Sequence, residues 1–145
     1  MSVSTNIRNT FYDGSLGSVE LPEDLQTLKK HWKNHPKSNK YVYVFKYVKN
    51  KNYGSPVKTG HPLVYGIGTT VSLPREECED DISQNCARGI NVATLWWVLR
   101  NSGAARGKID EHYVIIRLKL AIKDIVCIPT NTDGKFRVCK VEVID

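Results

Sequence analysis

The sequence predicts an α+β fold: one domain with a mostly antiparallel sheet and two or three helices. Three observations predict it. Several segments are rich in β-branched and aromatic residues, two segments carry apolar residues at helical spacing, and Asn131–Gly134 is a hairpin turn sequence. The 145 residues suffice for one domain with a buried core. We expect residues 1–40 to form an N-terminal extension with one amphipathic helix and residues 41–145 to form the core.

The first predicted helix follows Leu21–Asp24, where a proline and two acidic residues are typical of a first helical turn. Leu25, Leu28 and Trp32 recur at i, i+3 and i+7, so they share one side of an amphipathic helix. Pro36 ends this helix, because the residue before a proline is disfavoured in the helical conformation.

The strongest predicted strand is Tyr41–Val48, which alternates aromatic residues with valines. Apolar residues on both of its faces predict a central strand of the sheet. Lys46 is the exception on the valine face, so we expect it either to lie near an edge or to point into a binding site.

A second helix is predicted after Thr94, whose hydroxyl can cap it. We expect Trp96 and Trp97 on this helix to belong to the core. Four further strands are predicted at Leu63–Val71, His112–Leu120, Asp124–Pro129 and Lys135–Ile144.

Composition limits the classes of function. The formal net charge is +6, and residues 1–60 hold ten Lys and Arg against four Asp and Glu, which favours anionic partners. No apolar run approaches the roughly 18 residues of a membrane span, and the N-terminus has no signal-peptide pattern, so we expect a cytoplasmic protein that does not bind membranes. The cysteines form no CxxC pair and the histidines are scattered, so we expect no metal site and no cofactor.

Four segments, in one order, resemble the C-terminal domain of the bacteriophage rIIB lysis-inhibition accessory proteins and related viral domains, over about residues 41–145. The segments are Tyr41–Val48, Cys86-Ala-Arg88-Gly89-Ile-Asn91-Val92, Lys123-Asp124-Ile-Val126-Cys-Ile128-Pro129 and Gly134-Lys135-Phe-Arg137-Val-Cys139-Lys-Val-Glu142-Val143. The resemblance implies a viral accessory domain that acts in the host cytoplasm on host physiology or defence. Asn91 stands where that family usually has a histidine, which removes a residue suited to acid–base catalysis.

We therefore predict binding of an anionic, nucleotide-like ligand without turnover. Arginine suits the recognition of phosphate because its planar guanidinium donates two parallel hydrogen bonds. Aromatic rings can stack on a base. The predicted ligand-binding residues are Arg88, Gly89, Asn91, Lys46, Tyr43, Lys135 and Arg137, with Lys58 as a further cation and Trp96 or Trp97 as further rings. For Arg88 an ion pair with the acidic run Glu76–Asp81 is the alternative.

Three alternatives remain open. Arg88-Gly89-Ile followed by a helix is also similar to an element of the NAD-using ADP-ribosyltransferases, with Tyr43 or Lys46 as the anchor for NAD and Glu142 as the late glutamate. Nucleic acid is a possible partner of the basic first helix, through Lys29, Lys30, Lys33 and Lys37. A host protein is the third type of partner. The sequence predicts no particular oligomeric state.

Overall fold

The computed structural model describes residues 25–54, 63–84, 87–101 and 113–145. These ranges hold two α-helices, α1 (Leu25–Asn34) and α2 (Leu95–Asn101), and short 3-10 turns at Arg75–Glu77 and Ile122–Asp124. They also hold seven strands: β1 (Tyr41–Lys49), β2 (Thr70–Ser72), β3 (Ile90–Ala93), β4 (Tyr113–Ala121), β5 (Ile125–Cys127), β6 (Lys135–Val138) and β7 (Lys140–Val143). The predicted α+β class with a mostly antiparallel sheet is confirmed for this part of the chain.

The strands form one sheet in the order β2-β7-β4-β1-β3-β6-β5, with antiparallel pairing between all neighbours. β1 is the fourth of the seven strands, so the prediction of a central strand is confirmed. Its longest pairing is with β4, from Tyr41↔Ala121 to Lys49↔Tyr113.

The two faces of the sheet differ in composition. Apart from Lys46, the even-numbered residues of β1 and β4 are apolar and form the inner face. Their buried side chains belong to the same core as Leu25 and Leu28 of α1. Trp32 packs against that core, which confirms the amphipathic first helix. The predicted first turn at Leu21–Asp24 lies outside the described residues.

The sheet curls around its inner face. β6 and β7 are separated by Cys139 alone, yet they lie on opposite sides of β1 in the sheet. In a flat sheet four strand spacings would put them about 19 Å apart. Two residue steps of extended chain reach only about 7 Å. The single strand predicted at Lys135–Ile144 is therefore wrong: the chain changes its pairing partner at Cys139, whose N–H donates to Asp124 O at 2.9 Å.

Odd-numbered residues of β1 point to the outer face, which α2 partly covers. Tyr47 stacks on Trp97 of α2, with ring centroids 6.2 Å apart. Thr94 Oγ1 accepts a hydrogen bond from Trp97 N at 3.3 Å, so the predicted cap is confirmed. The expectation for Trp96 is wrong, because successive helical positions point about 100° apart and Trp96 is 56% exposed.

Two other predicted strands are shorter in the structure. Within Leu63–Val71 only an isolated bridge between Gly54 and Val64 and the start of β2 at Thr70 are extended pairings. At Asp124–Pro129 the first residue belongs to a 3-10 turn and only Ile125–Cys127 pairs as a strand. Both segments lie at or near the edges of the sheet, where few neighbours enforce pairing.

Candidate anion-binding site at the arginine turn

Residues Ala87–Asn91, which we call the arginine turn, lead into β3. Gly89 has φ of +144°, a conformation that side chains rarely adopt. A Cβ at Gly89 would lie 3.4 Å from Arg137 Cδ and 3.6 Å from Cys78 Cβ. Glycine thus lets the backbone of the turn pack directly on the stem of Arg137.

Asn91 closes the turn with its side chain. Its Nδ2 donates to Ala87 O at 3.2 Å and to Gly89 O at 3.3 Å. Its Oδ1 is buried and has no hydrogen-bond partner among the described residues. Asn91 Oδ1 can therefore accept a hydrogen bond from a donor outside the described residues.

The side chain of Arg88 extends from the arginine turn to the acidic run Glu76–Asp81. Its Nη2 donates to Glu77 Oε1 at 2.7 Å, and the two side chains are 39% and 44% exposed. The backbone ties the same segments together, since Glu79 N donates to Arg88 O at 2.8 Å. Arg88 Nε is buried and, within the described ranges, has no acceptor. The ion-pair alternative for Arg88 is thus observed, but it uses only part of the guanidinium.

Arg117 shows what a complete pair looks like. Its Nε donates to Asp145 Oδ1 at 2.9 Å and its Nη2 to Asp145 Oδ2 at 3.0 Å. This side-on arrangement is the bidentate geometry that arginine forms with carboxylates and phosphates. On Arg88 the corresponding nitrogens, Nε and Nη2, together bond one oxygen instead of two. We call this pair of nitrogens the half-filled edge of Arg88.

Arg137 has a different role from the predicted one. Its side chain is fully buried, and its guanidinium donates to three backbone carbonyls, those of Glu79 (2.6 Å), Gln84 (2.6 Å) and Asp81 (2.8 Å). Its Nη2 also lies 3.2 Å from Cys127 Sγ. Arg137 therefore fastens the acidic loop, residues 77–84, to the sheet. The signal in the sequence was its position between Phe136 and Val138 on a strand, since an arginine in an apolar strand needs internal acceptors.

Lys46 lies on the inner face of the central strand, so the expectation of an edge position is wrong. Its Nζ donates to Asn91 O at 2.7 Å and lies 5.2 Å from the ring centroid of Tyr65. β1 pairs with β3 through Phe45 and Ala93. Lys46 thus bridges the two strands at the end of the arginine turn and helps to hold Asn91 in place.

Two predicted site residues lie elsewhere on the outer face. Tyr43 lies under Arg117, whose guanidinium carbon is 4.4 Å from the ring centroid. Lys135 pairs with Ala93, two residues along β3 from Asn91 and on the same face of the sheet. Lys58 lies outside the described residues. The structure therefore brings Arg88, Gly89 and Asn91 together in the turn, places Lys135 two strand positions away and puts Tyr43 beneath Arg117.

The residues of the NAD-using alternative are divided between the two faces of the sheet. Glu142 is exposed on β7, where it pairs with Lys119. Tyr43 also pairs with Lys119, so it shares the outer face with Glu142. Lys46, one of the two anchors considered, points to the opposite face from Glu142.

The described thiols are poorly suited to nucleophilic chemistry. Burial raises the pKa of Cys78, Cys127 and Cys139, so each stays protonated near neutral pH. Within the described ranges no three His, Cys, Asp or Glu side chains group closely enough to hold a metal ion.

No family model matches the chain, and no solved structure matches it. The chain is similar to protein rIIB of Enterobacteria phage T4, with 27% identity over 106 residues. The match covers 72% of this chain but only 31% of the length of rIIB. Within the described ranges no helix is long and apolar enough to cross a membrane. The resemblance to the bacteriophage rIIB proteins that the four segments predict is confirmed by this similarity.

Proposed function

We propose that this chain is a phage accessory domain that binds an anionic, nucleotide-like ligand at the arginine turn and does not transform it. The observation that supports the site is the half-filled edge of Arg88, whose Nε is buried without an acceptor among the described residues. A phosphate group placed side-on would accept from Nε and Nη2 together, as the carboxylate of Asp145 does on Arg117.

Asn91 supplies the second recognition element of the proposed site. Its Oδ1 is an acceptor, so it selects a ligand that carries a hydrogen-bond donor beside its anionic group. A nucleotide has both, since its ribose hydroxyls and base amino groups donate. A simple inorganic anion satisfies Arg88 only and is expected to bind more weakly.

Binding without turnover is supported by the chemistry of the nearby groups. Asn91 carries a side-chain amide, which neither gains nor loses a proton near neutral pH and so cannot serve as a general acid or base. The buried thiols of Cys78 and Cys139 have raised pKa values. The similarity to a phage protein supports a phage accessory protein, and we propose interference with host physiology or defence as its setting.

Isothermal titration calorimetry tests this function with AMP, ADP, NAD and a cyclic dinucleotide as probes. We expect at least one of them to bind the wild-type chain and to lose about tenfold or more in affinity in Arg88→Ala, because a bond to a charged group contributes about 1.5–3 kcal/mol. Arg100→Ala is the matched control, since Arg100 is exposed and lies over the Trp96 ring. Equal affinity for Arg88→Ala and the wild type would contradict the proposal.

A further inference from the structure

Glu77 occupies the place that an anionic ligand needs. Its Oε1 is 2.7 Å from Arg88 Nη2, one of the two nitrogens of the half-filled edge. Arg88 Nε is shielded from solvent although the side chain as a whole is 39% exposed. A ligand oxygen can reach both nitrogens of this edge only after the Glu77 carboxylate has moved away.

We propose that Glu77 is an internal competitor at the arginine turn, which must be displaced before an anion binds. This inference rests on the proposed function. It makes Glu77 a specificity-determining residue, because a ligand gains only the difference between its own contact with Arg88 and the contact of Glu77.

The geometry makes the displacement inexpensive. Glu77 contributes one oxygen to one nitrogen, whereas Asp145 contributes two oxygens to Arg117. The Glu77 side chain is 44% exposed, so its carboxylate regains water when it leaves. Pairs of this exposure contribute little to stability. Its backbone stays in place, since Glu77 N donates to Pro74 O at 3.0 Å and Glu79 N donates to Arg88 O at 2.8 Å.

The same arrangement narrows the class of ligand. An anion that bonds Arg88 through one oxygen and one nitrogen only replaces the Glu77 contact with an equal one, so it gains no binding free energy from the exchange. A phosphate monoester can fill both nitrogens of the edge and also place a hydroxyl or amino donor at Asn91 Oδ1. The exposed side chains of Glu76 and Asp80 lie close in sequence to Glu77, which disfavours a polyanion such as nucleic acid. The geometry therefore favours a mononucleotide with a terminal phosphate.

The test compares two neighbouring acidic residues. AMP is titrated by calorimetry into the wild type, Glu77→Gln and Glu76→Gln. Both variants remove one negative charge, but only Glu77 is bonded to Arg88. We expect Glu77→Gln to bind AMP about two- to fivefold more tightly than Glu76→Gln does, in proportion to the strength of an exposed ion pair.

The outcomes separate this inference from the proposed function. If AMP binds the wild type and loses affinity in Arg88→Ala, while Glu77→Gln and Glu76→Gln bind alike, the competitor role is refuted and the binding site stands. Binding to Glu77→Gln but not to the wild type supports both. If AMP binds neither the wild type nor Glu77→Gln, the competitor role is overturned, and the other nucleotide probes decide the proposed function.

Discussion

Arg137 and Arg88 both contact the acidic loop and use their guanidinium groups in opposite ways. Arg137 is fully buried, and all three of its nitrogens donate to backbone carbonyls of residues 79–84. Arg88 is partly exposed and bonds one carboxylate oxygen through one nitrogen. Arg137, whose nitrogens are all bonded, holds the loop in place. Arg88 has a donor left for the ligand that we propose. Charge alone would not distinguish them.

The largest expected effect is the loss of stability when Arg137, whose nitrogens are all bonded, is replaced. Arg137→Met leaves the carbonyls of Glu79, Asp81 and Gln84 without their donors, and each unsatisfied carbonyl costs roughly 1–3 kcal/mol when water does not replace the donor. We expect the free energy of unfolding to fall by about 2–4 kcal/mol in urea denaturation, after allowing for partial hydration. Hydrogen exchange should become faster in the acidic loop.

Arg117→Met is the control for that prediction. The Arg117 side chain is 14% exposed, but its partner Asp145 is 63% exposed. Loss of this pair should cost no more than about 1 kcal/mol. An equal loss of stability in Arg137→Met and Arg117→Met would mean that Arg137 does not hold the acidic loop.

The sequence predicts a ligand-binding role for both arginines and misses the structural role of Arg137, because the partners of Arg137 are far away along the chain. The strand Tyr41–Val48, the Thr94 cap and the first helix depend on neighbours a few residues away, so local patterns predict them. Arg137 bonds carbonyls 53 to 58 residues earlier, and a carbonyl carries no mark in the sequence. The change of pairing partner at Cys139 depends likewise on how the sheet curls. Arg88, Gly89 and Asn91 are close in sequence, so a local pattern predicts them as a group.

A second prediction concerns Gly89, which follows Arg88 in the turn and packs on the stem of Arg137. Gly89→Ala introduces a side chain at φ of +144°, a backbone conformation that side chains rarely adopt. We expect a loss of about 1–3 kcal/mol in the free energy of unfolding, as for other strained backbone positions. Gly66→Ala is the control, because Gly66 does not have a positive φ and its added Cβ would make contacts of similar length, the nearest at 3.5 Å. A Gly89→Ala variant as stable as Gly66→Ala would show that the turn does not need its glycine.

Lys46 links the core to the arginine turn, so its substitution should have an intermediate effect. Lys46→Met keeps a long stem beside the Tyr65 ring but removes the donor to Asn91 O. We expect a loss of about 1–2 kcal/mol in the free energy of unfolding, because the roughly 1.5–3 kcal/mol of a hydrogen bond from a charged group is partly offset when no charge has to be desolvated. AMP affinity should fall as well, since the turn loses a support. Unchanged stability together with lost AMP binding would instead make Lys46 a direct contact of the ligand.

The smallest effect on stability is expected at Arg88. Its pair with Glu77 is exposed on both sides, so Arg88→Ala should change the free energy of unfolding by no more than about 1 kcal/mol. The same substitution should remove most nucleotide binding. Thermal denaturation with and without AMP measures both effects, because a ligand that binds only the folded state raises the melting temperature. A large loss of stability in Arg88→Ala would make Arg88 a second structural arginine.

The most direct test of the comparison follows the arginine Nε–H groups by nuclear magnetic resonance while AMP is added to the nitrogen-15-labelled chain. We expect the Arg88 Nε signal to shift and to saturate as AMP is added, because this nitrogen gains an acceptor. The Nε signals of Arg137 and Arg117, which already donate to Glu79 O and Asp145 Oδ1, should stay in place. An Arg88 signal that does not move, or one that moves no more than those of Arg137 and Arg117, would contradict the account.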